Sequence, residues 1–156
     1  MRIFISYSNP DLSIVRILAN QISIWGEVFF WNQSNIPSEV AWEQIYNWID
    51  NSDIVIVLIT GNTVVRAMSV GQEVGRAKAM NKIIIPMVQN HINPSEMGFL
   101  SGITYQPIEV SNPRPAIARI VKLVENYHND QVKNINSLAL LLIGVAFLIF
   151  LSGNGK

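Results

Sequence analysis

The chain contains no cysteine, which excludes disulfides, thiolate nucleophiles and zinc sites built on sulfur, and fits a reducing compartment such as the cytosol. Histidine is almost as scarce. His91 lies in a long loop with no second metal-type ligand beside it, and His128 sits in a polar stretch nearer the C-terminus, so no metal site is expected. Neither GxGxxG nor GxxxxGK followed by Ser or Thr occurs, which removes the kinase and ATPase phosphate loops. Charged residues make up only 14%, eleven basic against eleven acidic, with no basic run. Nothing electrostatic therefore argues for nucleic acid as a partner.

What is abundant is apolar surface, at 49% of residues. No charge occurs between Asn134 and Gly155, and 138–151 reads LALLLIGVAFLIFL, with eleven of fourteen positions Leu, Ile, Val or Phe. At about 1.5 Å per residue, 135–153 is long enough for a bilayer core of about 30 Å. Eleven strongly apolar side chains favour insertion by about 3–6 kcal/mol in sum. Arg114, Arg119, Lys122 and Lys133 precede the run and only five residues follow Leu151. Basic residues on the domain side leave that domain in the cytosol. The expectation is a single-pass C-terminal tail anchor in a lipid bilayer: a domain over 1–128, a linker over 129–136, a transmembrane helix over 137–152 and a short tail over 153–156.

The first 128 residues alternate short β-branched or aromatic runs with helical-period segments, the pattern of a parallel sheet covered by helices. Strands are expected at RIFISY (2–7), EVFFW (27–31), IVIVLI (54–59), IIIPMV (83–88) and, more weakly, 104–110. Helices are expected from the Asn9-Pro10-Asp11 turn and cap onward, over 39–51, over 64–80 and over 115–127. Pro86 donates no ladder hydrogen bond and marks a strand interrupted or near an edge. The fold class is therefore α/β: a flavodoxin-like five-stranded parallel sheet with helices on both faces, plus one C-terminal transmembrane helix. Ligands in such sheets bind beyond the carboxyl ends of the strands. Residues 6–9, 31–34, 60–62 and the first half of the third helix should then share one crevice.

Three pieces, in order, resemble the Toll/interleukin-1 receptor (TIR) domain family. RIFISYSNPD resembles its opening strand and turn, IPSEVAWEQIYNWIDNSDIVIVL its second helix and central strand, and SVGQEVGRAKAMNKIIIPMV its glutamate-bearing helix and the strand after it. The resemblance spans about residues 2–124 and is of the bacterial type. It implies two functions. One is cleavage of the nicotinamide from NAD+, used as substrate and with no cofactor, releasing or cyclising the ADP-ribose part. The other is non-enzymatic assembly through TIR–TIR self-association.

Transferred by position, the family's catalytic glutamate is Glu73 and its gating loop is 32–38. The chemistry suits a carboxylate, because breaking the bond from nicotinamide to ribose builds oxocarbenium-like charge on the sugar. Together with the crevice, this makes Ser6, Tyr7, Ser8, Trp31, Asn32, Ser34 and Ser69 the candidate substrate contacts. Ser69 lies one turn before Glu73, and Glu73, one position before Val74, sits at the border of a stripe formed by Ala67, Val70, Val74 and Ala77. The chain departs from the family pattern in having Trp31 for an acidic residue, Ser38 for a glycine, Ala41 for a tryptophan, and Ala67 and Ser69 in the Ser-x-Trp before the glutamate. An aromatic platform would then come from Trp31, Tyr7 or Trp42. The expected function is a membrane-anchored NAD+ hydrolase or cyclase activated by self-association in a defence or cell-death response. The alternative is a TIR scaffold or adaptor at the membrane.

Overall fold

The computed structural model describes residues 1–32 and 39–153, with the backbone alone for 39, 64, 65, 95 and 136–153. Five strands, β1 (Arg2–Ser6), β2 (Glu27–Phe30), β3 (Ile54–Ile59), β4 (Ile83–Gln89) and β5 (Gln106–Ile108), form one sheet in the order β2-β1-β3-β4-β5. Every pairing is parallel. This is the flavodoxin-like order expected from the alternation of elements.

Side-chain alternation divides the core in two. Ile3, Ile5 and Tyr7 of the first strand and its exit, with Ile54, Ile56 and Leu58 of β3, face α1 (Leu12–Ile22) and the start of α4 (Arg114–Gly153). Phe4, Val55, Val57 and Ile59 point the other way, against α2 (Glu39–Asp50) and α3 (Ala67–Ala79). A strand covered on both faces needs no polar alternation, which is why IVIVLI is buried at all six positions. The helices supply matching stripes: Ile14, Val15, Leu18 and Ile22 on α1, Ile45 and Ile49 on α2, Val70, Val74 and Ala77 on α3.

Some boundaries differ from the expected ones, each for a local reason. The third helix starts at Ala67 and not at 64, because Gly61–Arg66 forms a 3-10 helix. Thr63 initiates that tighter winding: its N–H donates to Thr60 O (2.9 Å), and its hydroxyl accepts from Thr60 N (2.9 Å). β4 is continuous through Pro86, but it meets β5 only from Met87 onward, so at the proline one side of the strand is open. Residues 129–136, expected as a linker, continue α4 as helix. No Gly or Pro occurs between Pro115 and Gly144 to end it. Among the described residues no helix is long and apolar enough to cross a membrane; the side chains of the expected span, 137–152, lie outside them.

Gly26 fixes how the first two strands meet. A Cβ there would collide with the Met1 carbonyl, which accepts the Glu27 N–H (3.0 Å) just before the ladder from Arg2 and Glu27 begins. Since backbone, not a flexible side chain, is in the way, Gly26→Ala is expected to destabilise the fold by about 1–3 kcal/mol. A fall in the urea midpoint checks this, and an unchanged midpoint would contradict it.

Candidate active site

The strand order reverses between β1 and β3, and the chain leaving those two strands builds one polar cluster. After β1 come Tyr7 and Ser8; after β3 come Thr60, Gly61 and Asn62. The Ser8 hydroxyl donates to Asn62 O (3.2 Å). Asp11, buried at 2% exposure, accepts from the Thr60 hydroxyl (2.6 Å) and the Asn62 amide (2.8 Å). Thr60 in turn accepts from Asn62 N (3.1 Å), and Gly61 N donates to Gln89 Oε1 (2.9 Å), which brings in the end of β4. Such a cross-strand mesh, with Ser8, Asp11 and Thr60 buried and Asn62 at the surface, holds the two loops in one geometry.

Asp11 was expected to cap the first helix. It occupies the N-cap position, yet its side chain makes no cap bond and spans instead to the loop after β3. Arg66, half-buried at the N-cap of α3, donates from Nη1 to Tyr7 O (3.2 Å). The sequence marked neither as a site residue. Only the spacing of Asp11 five positions after β1 offered a signal, and it reads equally as a turn.

α3 is set against α2 by Arg76, whose guanidinium forks onto Asp50 (2.7 and 2.6 Å) and lies 5.6 Å over the Tyr46 ring. That hydrogen bond also holds the Asp50 carboxyl below its usual range. The packing sinks Glu73 further than its expected place at the border of the stripe: it is 4% exposed, beside Val70, Val74 and Ala77. Loss of water pushes its carboxyl from 4.5 up to about 7, and nearby Ser6 and the charge of Arg66 offset part of that rise. Ser6 Oγ stands near enough to favour the carboxylate, yet makes no hydrogen bond among the described residues. A titratable carboxyl, a buried hydroxyl and a cation thus converge at the carboxyl rim of the sheet.

Of the candidate contacts, the fold gathers Ser6, Tyr7, Ser8 and Glu73 around that rim. Tyr7 is 5% exposed, its ring edge-on to Phe30 (6.2 Å), and its hydroxyl donates to Trp31 O. Burial raises the Tyr7 pKa. Trp31 is half-buried and leans on Trp48 (6.4 Å), which stacks on Phe29 (5.8 Å). Its indole Nε1 is buried with no partner among the described residues. Trp42 lies against Tyr46 (5.6 Å). Ser69 is half-buried one turn before Glu73, and Asn32 is exposed just beyond β2. Ser34 and the rest of the gating loop, 33–38, lie outside the described residues. A shallow surface depression of about 500 Å³ beside Lys78, Lys82 and Thr104 opens at the opposite rim, and no acidic residue lines it among the described residues.

A family model described as TIR domain matches residues 3–123. Among solved structures, the fold is similar to the TIR domains of the activated Roq1 resistosome recognizing the pathogen effector XopQ. That likeness has 13% identity over 79% of this chain and 98% of that one, with a TM-score of 0.62. It is also similar to Clostridium botulinum CMP N-glycosidase, BcmB, with 16% identity over 77% of this chain and 98% of that one and a TM-score of 0.54. Both likenesses are of fold. No curated protein matches. With five parallel strands in the 2-1-3-4-5 order and a family match over most of its length, this chain belongs to the TIR domain family.

Proposed function

We propose that this TIR domain hydrolyses or cyclises NAD+ by breaking the N-glycosidic bond to nicotinamide, with Glu73 as the catalytic carboxylate. The observation that carries the reading is the buried carboxyl, pushed to about 7, at the carboxyl rim of the sheet. Strong displacement of a pKa by burial, inside a cluster of polar groups, is characteristic of sites that do chemistry. A protein of similar fold is named as a CMP N-glycosidase, so this scaffold accommodates cleavage between a base and a ribose. The resemblance of the SVGQEVGRA segment to the family's glutamate helix points to the same residue.

The nicotinamide of NAD+ is a pyridinium. When its bond to C1′ breaks, the bonding pair returns to the ring nitrogen and the base departs neutral, with no proton required. Positive charge is left on the ribose, and there a carboxylate is worth most in a site stripped of water. Ionised Glu73 serves this step while Ser6 offers its hydroxyl to the sugar. Water, or a nucleophile within the ADP-ribose itself, then takes C1′, giving the linear or the cyclic product. Mass spectrometry of NAD+ incubated with assembled protein is expected to show free nicotinamide and an ADP-ribose product. Intact NAD+ from demonstrably assembled protein would retire the reading.

The same proposal has the domain self-associate through TIR–TIR contacts, held at a membrane by 137–152 with its catalytic part in the cytosol, in a defence or cell-death response. Support for the anchor is the uncharged run in the sequence, and confinement to a bilayer raises the effective concentration for assembly. One observation favours the scaffold alternative: Trp31, a candidate stacking platform, is packed onto Trp48. A scaffold assembles with Glu73 replaced as well as without, and produces no nicotinamide.

A further inference from the structure

Arg66 is half-buried, its charge acts on the Glu73 carboxyl, and it makes a single hydrogen bond among the described residues. Its Nη1 is held by Tyr7 O at 3.2 Å, and its other donors have no partner among the described residues. Its charge acts on both Tyr7 and Glu73, and no ion pair joins Arg66 to Glu73 among the described residues. A half-buried cation and a buried carboxyl, close but unneutralised, make a site with one positive and one negative pole. Arg66 is also the N-cap of α3, where no side chain caps the helix and no acid occupies its first turn. Ser6, 1% exposed, faces the same acid: its hydroxyl favours the Glu73 carboxylate and reaches no other partner among the described residues.

A ligand that satisfies all three groups carries an anion for Arg66, a hydroxyl-bearing ring for Ser6 and a developing cation for Glu73. A ribose with a phosphate on its 5′ carbon has this layout, and a guanidinium with free N–H groups matches phosphate oxygens in fork geometry. We propose that Arg66 binds the phosphate next to the scissile ribose, so that the site takes nucleotides and discriminates against nucleosides. This rests on the N-glycosidic reading above and adds to it a specificity residue that sequence spacing did not mark.

The test compares NAD+ with nicotinamide riboside, which has the same scissile bond and no phosphate, in wild type, Arg66→Ala and Arg66→Lys. Wild type is expected to prefer NAD+. Measured well above the Glu73 midpoint, where the carboxylate stays ionised without the Arg66 charge, Arg66→Ala should lose roughly 10–100-fold in kcat/KM on NAD+, mostly through KM, and change far less on the riboside. Arg66→Lys, which keeps the charge but not the fork, should recover part of the loss. Equal losses on both substrates, or a wild type indifferent to the phosphate, would overturn the proposal. Should wild type cleave neither substrate, the hydrolytic reading fails by itself. Calorimetric binding of ADP-ribose to Glu73→Gln then decides the Arg66 question: binding that Arg66→Ala abolishes supports it, and binding that it leaves intact overturns it.

Discussion

Replacing Glu73 by glutamine is expected to lower NAD+ cleavage by at least about a hundredfold while leaving the fold intact, because the change removes a charge and keeps the shape. The group sits among Val70, Val74 and Ala77 in a space that accommodates glutamine's equal volume. What is lost is the interaction made when ribose becomes cationic. That interaction is absent in the ground state, so the fall belongs in kcat, with KM little changed. Initial rates of nicotinamide release for wild type and Glu73→Gln at pH 8, with circular dichroism to establish the fold, measure it. Residual activity within a few fold of wild type would remove Glu73 from the chemistry.

The same substitution should make the protein more stable in alkaline solution. In the unfolded chain Glu73 gives up its proton near 4.5, but in the folded chain burial holds that proton to about 7. Between those values the folded state carries a proton that the unfolded state has already shed. Stability is therefore lost as pH rises through this window, and the loss is complete above it. The displacement, from 4.5 to about 7, corresponds to roughly 3 kcal/mol. Glutamine never ionises. Urea unfolding is thus expected to show Glu73→Gln more stable than wild type by roughly 3 kcal/mol at pH 8, with the gap closing near pH 4. A difference independent of pH would mean that the carboxyl is not desolvated. A residue that costs the fold this much at neutral pH is the trade-off found where function, not stability, selects the side chain.

The parts of this architecture that were legible in the sequence are those written by local periodicity. Ile54–Ile59, apolar at every position, could be covered only on both faces, and it is the central β3. From the five-strand alternation came the expectation that residues 6–9 and 60–62 meet, and Ser8 does bond to the loop at Asn62. Contacts formed across the fold were not legible. Asp11 reads as a helix cap until β3 brings Thr60 and Asn62 within reach, and Arg66 has no meaning until Tyr7 is placed beside it. Burial was legible only in part: a one-residue offset from Val74 marks the edge of a stripe, but the depth of Glu73 depends on how closely α3 lies on the sheet. The helical continuation through 129–136 escaped because polar residues such as Asn129, Asp130 and Asn134 look like loop when no Gly or Pro is weighed against them.

The claim beneath all of this is that a deprotonated, desolvated Glu73 stabilises the ribosyl cation as a pyridinium departs. The pH dependence of kcat/KM for NAD+ tests it most directly, since that parameter titrates the groups of the free enzyme. The account predicts a rate that rises with pH through a midpoint near 7, the value to which burial pushes this carboxyl. A profile that is flat from pH 5 to pH 8, or one that falls with rising pH as a proton-donating acid requires, would contradict it.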